Sequence, residues 1–72
     1  MQNKVKQERV RLNMQQQDLA EKIGVSRQTI HSIENNRYTP STLLALKIAF
    51  IFGKSVDELF VLEPADWEEG SR

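Results

Sequence analysis

The stretch Gln16-Gln17-Asp18-Leu19-Ala20-Glu21-Lys22-Ile23-Gly24-Val25-Ser26-Arg27-Gln28-Thr29-Ile30 decides how this chain folds. Leu19, Ala20 and Ile23 share one face of a helical repeat, and Asp18 sits in the first turn, where a carboxylate meets the positive end of the helix dipole. Gly24 closes the segment as a C′ residue free to take left-handed backbone. Only Gly24 and Val25 separate it from Ser26, a good N-cap, and Val25 and Ile30 occupy the two positions of a hydrophobic staple. The pattern predicts a helix over 16–23, a tight turn, and a second helix over 27–35.

Two short helices joined by so few residues, one of them Gly, have the outline of a helix-turn-helix unit. In the second helix, at about 100° per residue, Ile30 and Ile33 point inward. Gln28 and Asn35 lie opposite, flanked by His31 and Ser32, with Arg27 at the exposed start. This outward set contains no aliphatic side chain, and each member has chemistry for a DNA groove: Arg pairs bidentately with guanine, Gln with adenine, and Ser with either. A polar outward face is also what any surface helix carries, so composition alone leaves a solvated face equally open.

The flanking sequence extends the helical reading. Residues 4–12 place Val5, Arg9 and Leu12 on one stripe and turn Lys4, Lys6 and Arg11 outward. Residues 42–52 open after Thr39-Pro40 with Ser41 as N-cap and end at Gly53. This segment is apolar nearly all round, which predicts a central helix covered on several sides. Ser55-Val56-Asp57-Glu58 is a capping-box sequence that opens a fifth helix supplying Val56, Leu59 and Phe60. No period-2 alternation is long enough to suggest a sheet core. From Glu63 the run EPADWEEGSR is acidic and turn-rich, and is expected to order only if Trp67 finds a surface.

Composition narrows the function. The chain has 72 residues, 39% apolar and 28% charged, with no Cys and one His. A chain of this size buries only about 60% of its unfolded surface, so one small domain without a walled catalytic cleft is expected. The absence of Cys excludes disulfides and thiolate metal sites, and His31 alone cannot build a metal centre. No cofactor is expected. Ser26, Ser41 and Ser55 serve better as helix caps than as nucleophiles, and nothing pairs a nucleophile with an oriented base, so the chain does not read as an enzyme. The first ten residues lack the apolar segment of a signal peptide and no apolar run spans a bilayer, which favours the cytoplasm. Net charge is zero, yet residues 1–37 carry seven basic and four acidic side chains and residues 38–72 carry three and six. Neutrality is thus the sum of a basic half suited to a polyanion and an acidic half.

The run 16–30 quoted above, with Ile33-Glu34-Asn35 and Tyr38-Thr39-Pro40-Ser41, resembles the phage repressor and Cro (Xre-type) helix-turn-helix regulators over residues 4–62. The resemblance implies an all-α, compact five-helix repressor-like domain over 1–62, with a short extended C-terminal segment allowed and an acidic tail over 63–72. It implies a transcriptional regulator, most simply a repressor, binding a palindromic double-stranded DNA operator as a homodimer with its third helix in the major groove. Base contacts would fall to Arg27, Gln28 and Ser32, with His31 a further DNA contact or a solvated residue. Backbone contacts would fall to Gln16, Thr29, Asn35, Asn36, Arg37 and Tyr38. Arg9 and Glu34 would form a structural ion pair.

Three positions depart from the family pattern. Gln15 replaces a Ser or Thr cap and should loosen the second helix by about 1 kcal/mol; Glu8 replaces an apolar residue; Asn36 stands where Gly is frequent, at little cost because Asn tolerates left-handed backbone. The apolar run Leu59, Phe60, Val61 and Leu62, with Trp67 behind it, is the expected dimer surface. The same run and the acidic tail also suit an alternative, an antitoxin or adaptor module of the same fold that holds another polypeptide. An RNA-binding role lacks stacking aromatics before Tyr38. No small-molecule effector is expected in so short a chain, nor any membrane partner.

Overall fold

The computed structural model describes residues 1–69. In chain order the elements are β1 (Gln2–Asn3), α1 (Val5–Arg11), α2 (Gln16–Ile23), α3 (Arg27–Glu34), α4 (Thr42–Phe52), α5 (Val56–Leu59), β2 (Phe60–Val61) and α6 (Pro64–Glu69).

Local chemistry sets most of these boundaries. α2 starts at Gln16 despite its poor cap, because the Asp18 carboxylate accepts the backbone N–H of Gln15 at 2.9 Å. The loosening expected from Gln15 is thereby offset from the other side of the same turn. α2 ends at Gly24, whose φ of 79° is left-handed, a conformation that costs a residue with a Cβ about 1 kcal/mol or more. Ser26 caps α3 by accepting the Thr29 N–H at 3.2 Å. Ser41 caps α4 through the Leu44 N–H at 3.2 Å, and Gly53, at φ 65°, ends it. Asn13 and Asn36 take positive φ after α1 and α3, at 55° and 59°.

One core joins the helices. Val5 from α1, Leu19, Ala20 and Ile23 from α2, Ile30 and Ile33 from α3, Ile48, Ala49 and Phe52 from α4, and Leu59 and Phe60 are all buried. Two expectations about the core are corrected. Leu12 lies outside it, 40% exposed, because α1 ends at Arg11 and the left-handed Asn13 turns the chain so that Met14 packs inward instead. And α4 is not covered on several sides: Leu43, Leu46 and Phe50 stand 62%, 55% and 83% exposed. An all-apolar sequence states how much surface a helix offers, not how much its own chain covers.

Three further elements, β1, β2 and α6, lie beyond the five expected helices. β1 pairs antiparallel with β2, Gln2 opposite Val61 and Asn3 opposite Phe60, and the Lys4 N–H donates to the Leu59 carbonyl at 2.8 Å. The segment expected to be extended therefore finds its partner at the other end of the chain. The acidic run is helical from Pro64 to Glu69, and Trp67 is not what orders it: the indole is 71% exposed. Its start is tied to the amino terminus, with the Met1 ammonium 2.8 Å from Glu63 Oε1 and 3.1 Å from Asp66 Oδ1. Residues 70–72 of the expected tail lie outside the described residues.

Candidate nucleic-acid interface

Three helices are locked together around Glu34. Its carboxylate accepts Arg9 Nε at 2.7 Å and Arg9 Nη2 at 3.1 Å, a bidentate pair between α1 and the end of α3. Arg9 Nη1 donates to the Met14 carbonyl at 2.8 Å, and Gln16 Nε2, from the first turn of α2, donates to Glu34 Oε1 at 3.1 Å. Both charged side chains are almost wholly withdrawn from water, 10% exposed for Arg9 and 3% for Glu34. Burial of this kind is tolerable only when the charges meet and their remaining hydrogen-bonding groups are satisfied. Among the described residues no buried side-chain nitrogen or oxygen lacks a partner.

That lock fixes how α3 is presented. Ile30 and Ile33 face the core, and Arg27, Gln28 and His31 are exposed, with Ser32 half-buried at the edge. Thr29 is half-buried as well, its hydroxyl 3.0 Å from Ser26 Oγ within the N-cap. A shallow groove lined by Val25, Gln28, Ser32, Tyr38 and Leu44 opens beside the helix. Polar groups and an apolar floor thus lie side by side, the pair of contacts that base edges and a thymine methyl require. Arg27 and Arg37 form no ion pair among the described residues, which leaves two cations for an anionic ligand.

The backbone-contact candidates border this face: Gln16 is bonded to Glu34 at the C-terminal end of α3, residues 35–38 follow that end, and Thr29 lies in the first turn. Gln16 enters it with one amide hydrogen committed to Glu34 and the second available, since a primary amide carries two donors. Asn35 Nδ2 donates back to the His31 carbonyl at 2.8 Å and closes the end of α3. The Arg37 N–H donates to the Ser32 carbonyl at 2.9 Å, which folds the 35–37 loop under the helix, and Tyr38 follows with its ring 45% exposed.

Sequence reasoning overlooked Asn3. Its Nδ2 donates to the Ile33 carbonyl at 2.8 Å and to Asn36 Oδ1 at 2.9 Å, while its Oδ1 accepts the Val5 N–H at 3.1 Å. One side chain from β1 thus holds the loop that follows α3. A signal existed: an Asn two residues before the first helical position is placed for an Asx-turn.

Among the expected dimer residues, Leu59 and Phe60 are corrected. They are 1% and 9% exposed and belong to the domain's own core, because α5 is a single turn whose end packs under β1. Val61, Leu62 and Trp67 remain exposed, at 39%, 58% and 71%. Among the described residues no helix is long and apolar enough to cross a membrane.

Residues 5–59 match the family model described as helix-turn-helix. The chain is similar to an uncharacterised HTH-type transcriptional regulator of Methanocaldococcus jannaschii, 51% identical over 63 residues, which cover 88% of this chain and 96% of that protein. It is similar to another such regulator of Bacillus subtilis, 48% identical over 63 residues, with the same coverage of 88% and 96%. The ImmF control region 10 kDa protein of Bacillus phage phi105 is 33% identical over 66 residues, 92% of this chain and 73% of the phage protein.

Proposed function

Because this chain belongs to the helix-turn-helix family of DNA-binding transcriptional regulators, which are not enzymes, we propose that it is a cytoplasmic, homodimeric repressor. In this reading α3 of each copy enters one of two successive major grooves of a palindromic operator, about 34 Å apart. The observation that carries it is the outer face of α3, which offers Arg27, Gln28 and Ser32 and no aliphatic side chain, on a helix held at its end by the buried Arg9–Glu34 pair.

Arg27, Gln28 and Ser32 read base edges, and His31 lies close enough in sequence to add a contact. Gln16, from the first turn of α2, and Asn35, Asn36, Arg37 and Tyr38, from the loop after α3, grip the flanking phosphate backbones, and Thr29 assists beside the cap. Zero net charge makes non-specific affinity modest, so base contacts and dimerisation carry more of the binding than in a strongly basic protein. Activity follows concentration and dimerisation, with no small-molecule effector.

Selection of duplexes from a random pool at two salt concentrations tests the reading, and a palindrome is the expected product. Arg27→Ala and Gln28→Ala should each weaken the selected site by about 1–3 kcal/mol and relax preference at one base position, whereas Arg37→Ala should weaken all duplexes alike and flatten the salt dependence. Binding indifferent to salt and to all three substitutions would overturn it.

A further inference from the structure

We propose that Asn3, in β1, is a positioning residue for DNA binding: it sets the side-chain amide of Asn36 so that both hydrogens of that amide face outward, as donors to a backbone phosphate. The proposal rests on the DNA-binding reading above and adds to it the group that aims one of its contacts. Asn3 is in place to do so because β1 pairs with β2, Asn3 opposite Phe60, which holds its backbone beside the end of α3.

The polarity of the backbone decides which way round Asn3 sits. The Val5 N–H can only donate and the Ile33 carbonyl can only accept, and they lie 3.1 Å from Asn3 Oδ1 and 2.8 Å from Asn3 Nδ2. Exchanging the oxygen and nitrogen of Asn3 sets donor against donor and acceptor against acceptor, so neither contact survives the exchange. With Asn3 fixed, its second amide hydrogen needs an acceptor. The atom 2.9 Å away on Asn36 is therefore Oδ1 and not Nδ2. Orientation passes in this way from two backbone groups through one side chain to the next.

Asn36 is left with its NH2 group. The residue is exposed, and Nδ2 makes no hydrogen bond among the described residues. Phosphate oxygens only accept, so an amide with its carbonyl outward repels them and one with its NH2 outward can hold them. The neighbouring amides are turned the other way. Gln16 spends a hydrogen of its nitrogen on Glu34 Oε1 at 3.1 Å, and Asn35 spends one on the His31 carbonyl at 2.8 Å. Of the three amides assigned to the phosphate backbone, only Asn36 keeps its whole NH2 group for the outside. Its backbone does not account for the residue, since at a left-handed φ of 59° Gly is the least strained choice, and what Asn adds there is the amide. The groove beside it also contains Glu63 and Asp66, but the Met1 ammonium, 2.8 and 3.1 Å from them, offsets their repulsion of a phosphate.

The test uses the full chain and the selected duplex, with one phosphate at a time replaced by an uncharged methylphosphonate. Wild type should lose about tenfold in affinity at the phosphate that Asn36 holds. Asn36→Gly and Asn3→Ala should each bind the unmodified duplex about tenfold more weakly and no longer register that phosphate, while sensitivity at the Gln16 phosphate persists. The double variant should bind no worse than the weaker single one, because Asn3 acts through Asn36. Asn36→Asp keeps an acceptor for Asn3 and tolerates the same backbone, so it should melt as wild type does yet bind less well than Asn36→Gly, most of all at low salt. Asn3→Ala that still registers the phosphate lost to Asn36→Gly, or losses that multiply in the double variant, overturn the positioning role and make Asn3 merely structural. Asn36→Gly that registers every phosphate as wild type does overturns the donor. In both cases base preference that still changes in Arg27→Ala and Gln28→Ala leaves the DNA-binding reading standing, whereas a wild type that selects no duplex overturns both.

Discussion

α3 and α4 bury isoleucines in the same core, Ile30 and Ile33 from one and Ile48 from the other, yet they leave different chemistry outside. α3 exposes Arg27, Gln28 and His31; α4 exposes Leu43, Leu46 and Phe50. Core packing treats both helices alike, because burial depends on apolar area and not on what the far side carries. The far side is therefore where the two helices differ, α3 offering hydrogen-bonding and charged groups and α4 apolar area. The two also differ in how they are held. α3 ends in a buried ion pair, while α4 relies on caps at Ser41 and Gly53 and on packing.

The difference in anchoring can be broken directly. Glu34→Ala leaves Arg9 buried without its carboxylate and Gln16 without an acceptor, and should cost about 3–5 kcal/mol of folding stability in urea denaturation. DNA affinity should fall with it, because the end of α3 loses its anchor. A loss under 1 kcal/mol would mean that α3 is positioned by packing alone, as α4 is. Within α4 the contrast sharpens at neighbouring turns. Ile48→Ala should cost about 2–5 kcal/mol by opening a cavity, whereas Leu46→Ala, at a side chain already 55% exposed, should change monomer stability by no more than about 0.5 kcal/mol. Equal losses at the two positions would mean that the outer residues of α4 belong to the core as much as Ile48 does.

α2 and α4 run over the residues expected from sequence, Gln16–Ile23 and Thr42–Phe52, because both of their ends are written locally. Asp18, Gly24, Ser41 and Gly53 each act within a turn of the boundary they set. The inward positions of α3 were legible for a similar reason, since a 3.6-residue period places Ile30 and Ile33 without reference to anything distant. What escaped depends on pairings between the two ends of the chain. β1 exists because Gln2 and Asn3 meet Val61 and Phe60, and α6 is fastened by the Met1 ammonium at Glu63 and Asp66. Asn3 escaped with them, as its hold on Ile33 and Asn36 follows from where β1 lies. The burial of Leu59 and Phe60 belongs to the same class: an apolar run at the end of a domain reads as surface until the strand that covers it is placed.

Asn3 gives a smaller test of the contrast, because its side-chain hydrogen bonds go to α3, the loop after it and the start of α1. Asn3→Ala removes two donated hydrogen bonds and one accepted one at a partly exposed site, and should cost about 1–2 kcal/mol of stability. Affinity for every duplex should fall by the same factor, with base preference at the Arg27 and Gln28 positions unchanged. Asn3→Asp keeps the acceptor for Val5 but loses the donors to Ile33 and Asn36, so it should behave like Asn3→Ala in DNA binding. Altered base preference in either variant would mean that the loop also sets the angle of α3.

The smallest expected effect lies at α6, farthest from the contrast between the two faces. The Asp66 carboxyl is held below its ordinary 3.8, chiefly by the Glu63 backbone N–H and then by the Met1 ammonium. The ammonium is raised above 8.0, chiefly by hydrogen bonding to Glu63 and then to Asp66. A depressed carboxyl adds stability that is fully present above its unfolded value and is lost as pH falls through the folded one; a raised amine adds stability that is fully present below its unfolded value and is lost as pH rises through the folded one. α6 should therefore be fastened most firmly between the two and loosen on both sides, acid through Asp66 and alkaline through Met1. These groups sit part-buried at the surface and outside the core, so the change is local and the core should not follow it. Amide exchange of the α6 and β1 N–H groups should show protection falling on both sides of the window while Ile30 and Ile48 stay protected. Acetylation of the amino terminus should remove the alkaline limb and leave the acid one. Protection of α6 that is flat from about pH 3 to about pH 10, or acetylated protein identical to the free amine, would mean that Pro64–Glu69 is held by β2 and not by Met1.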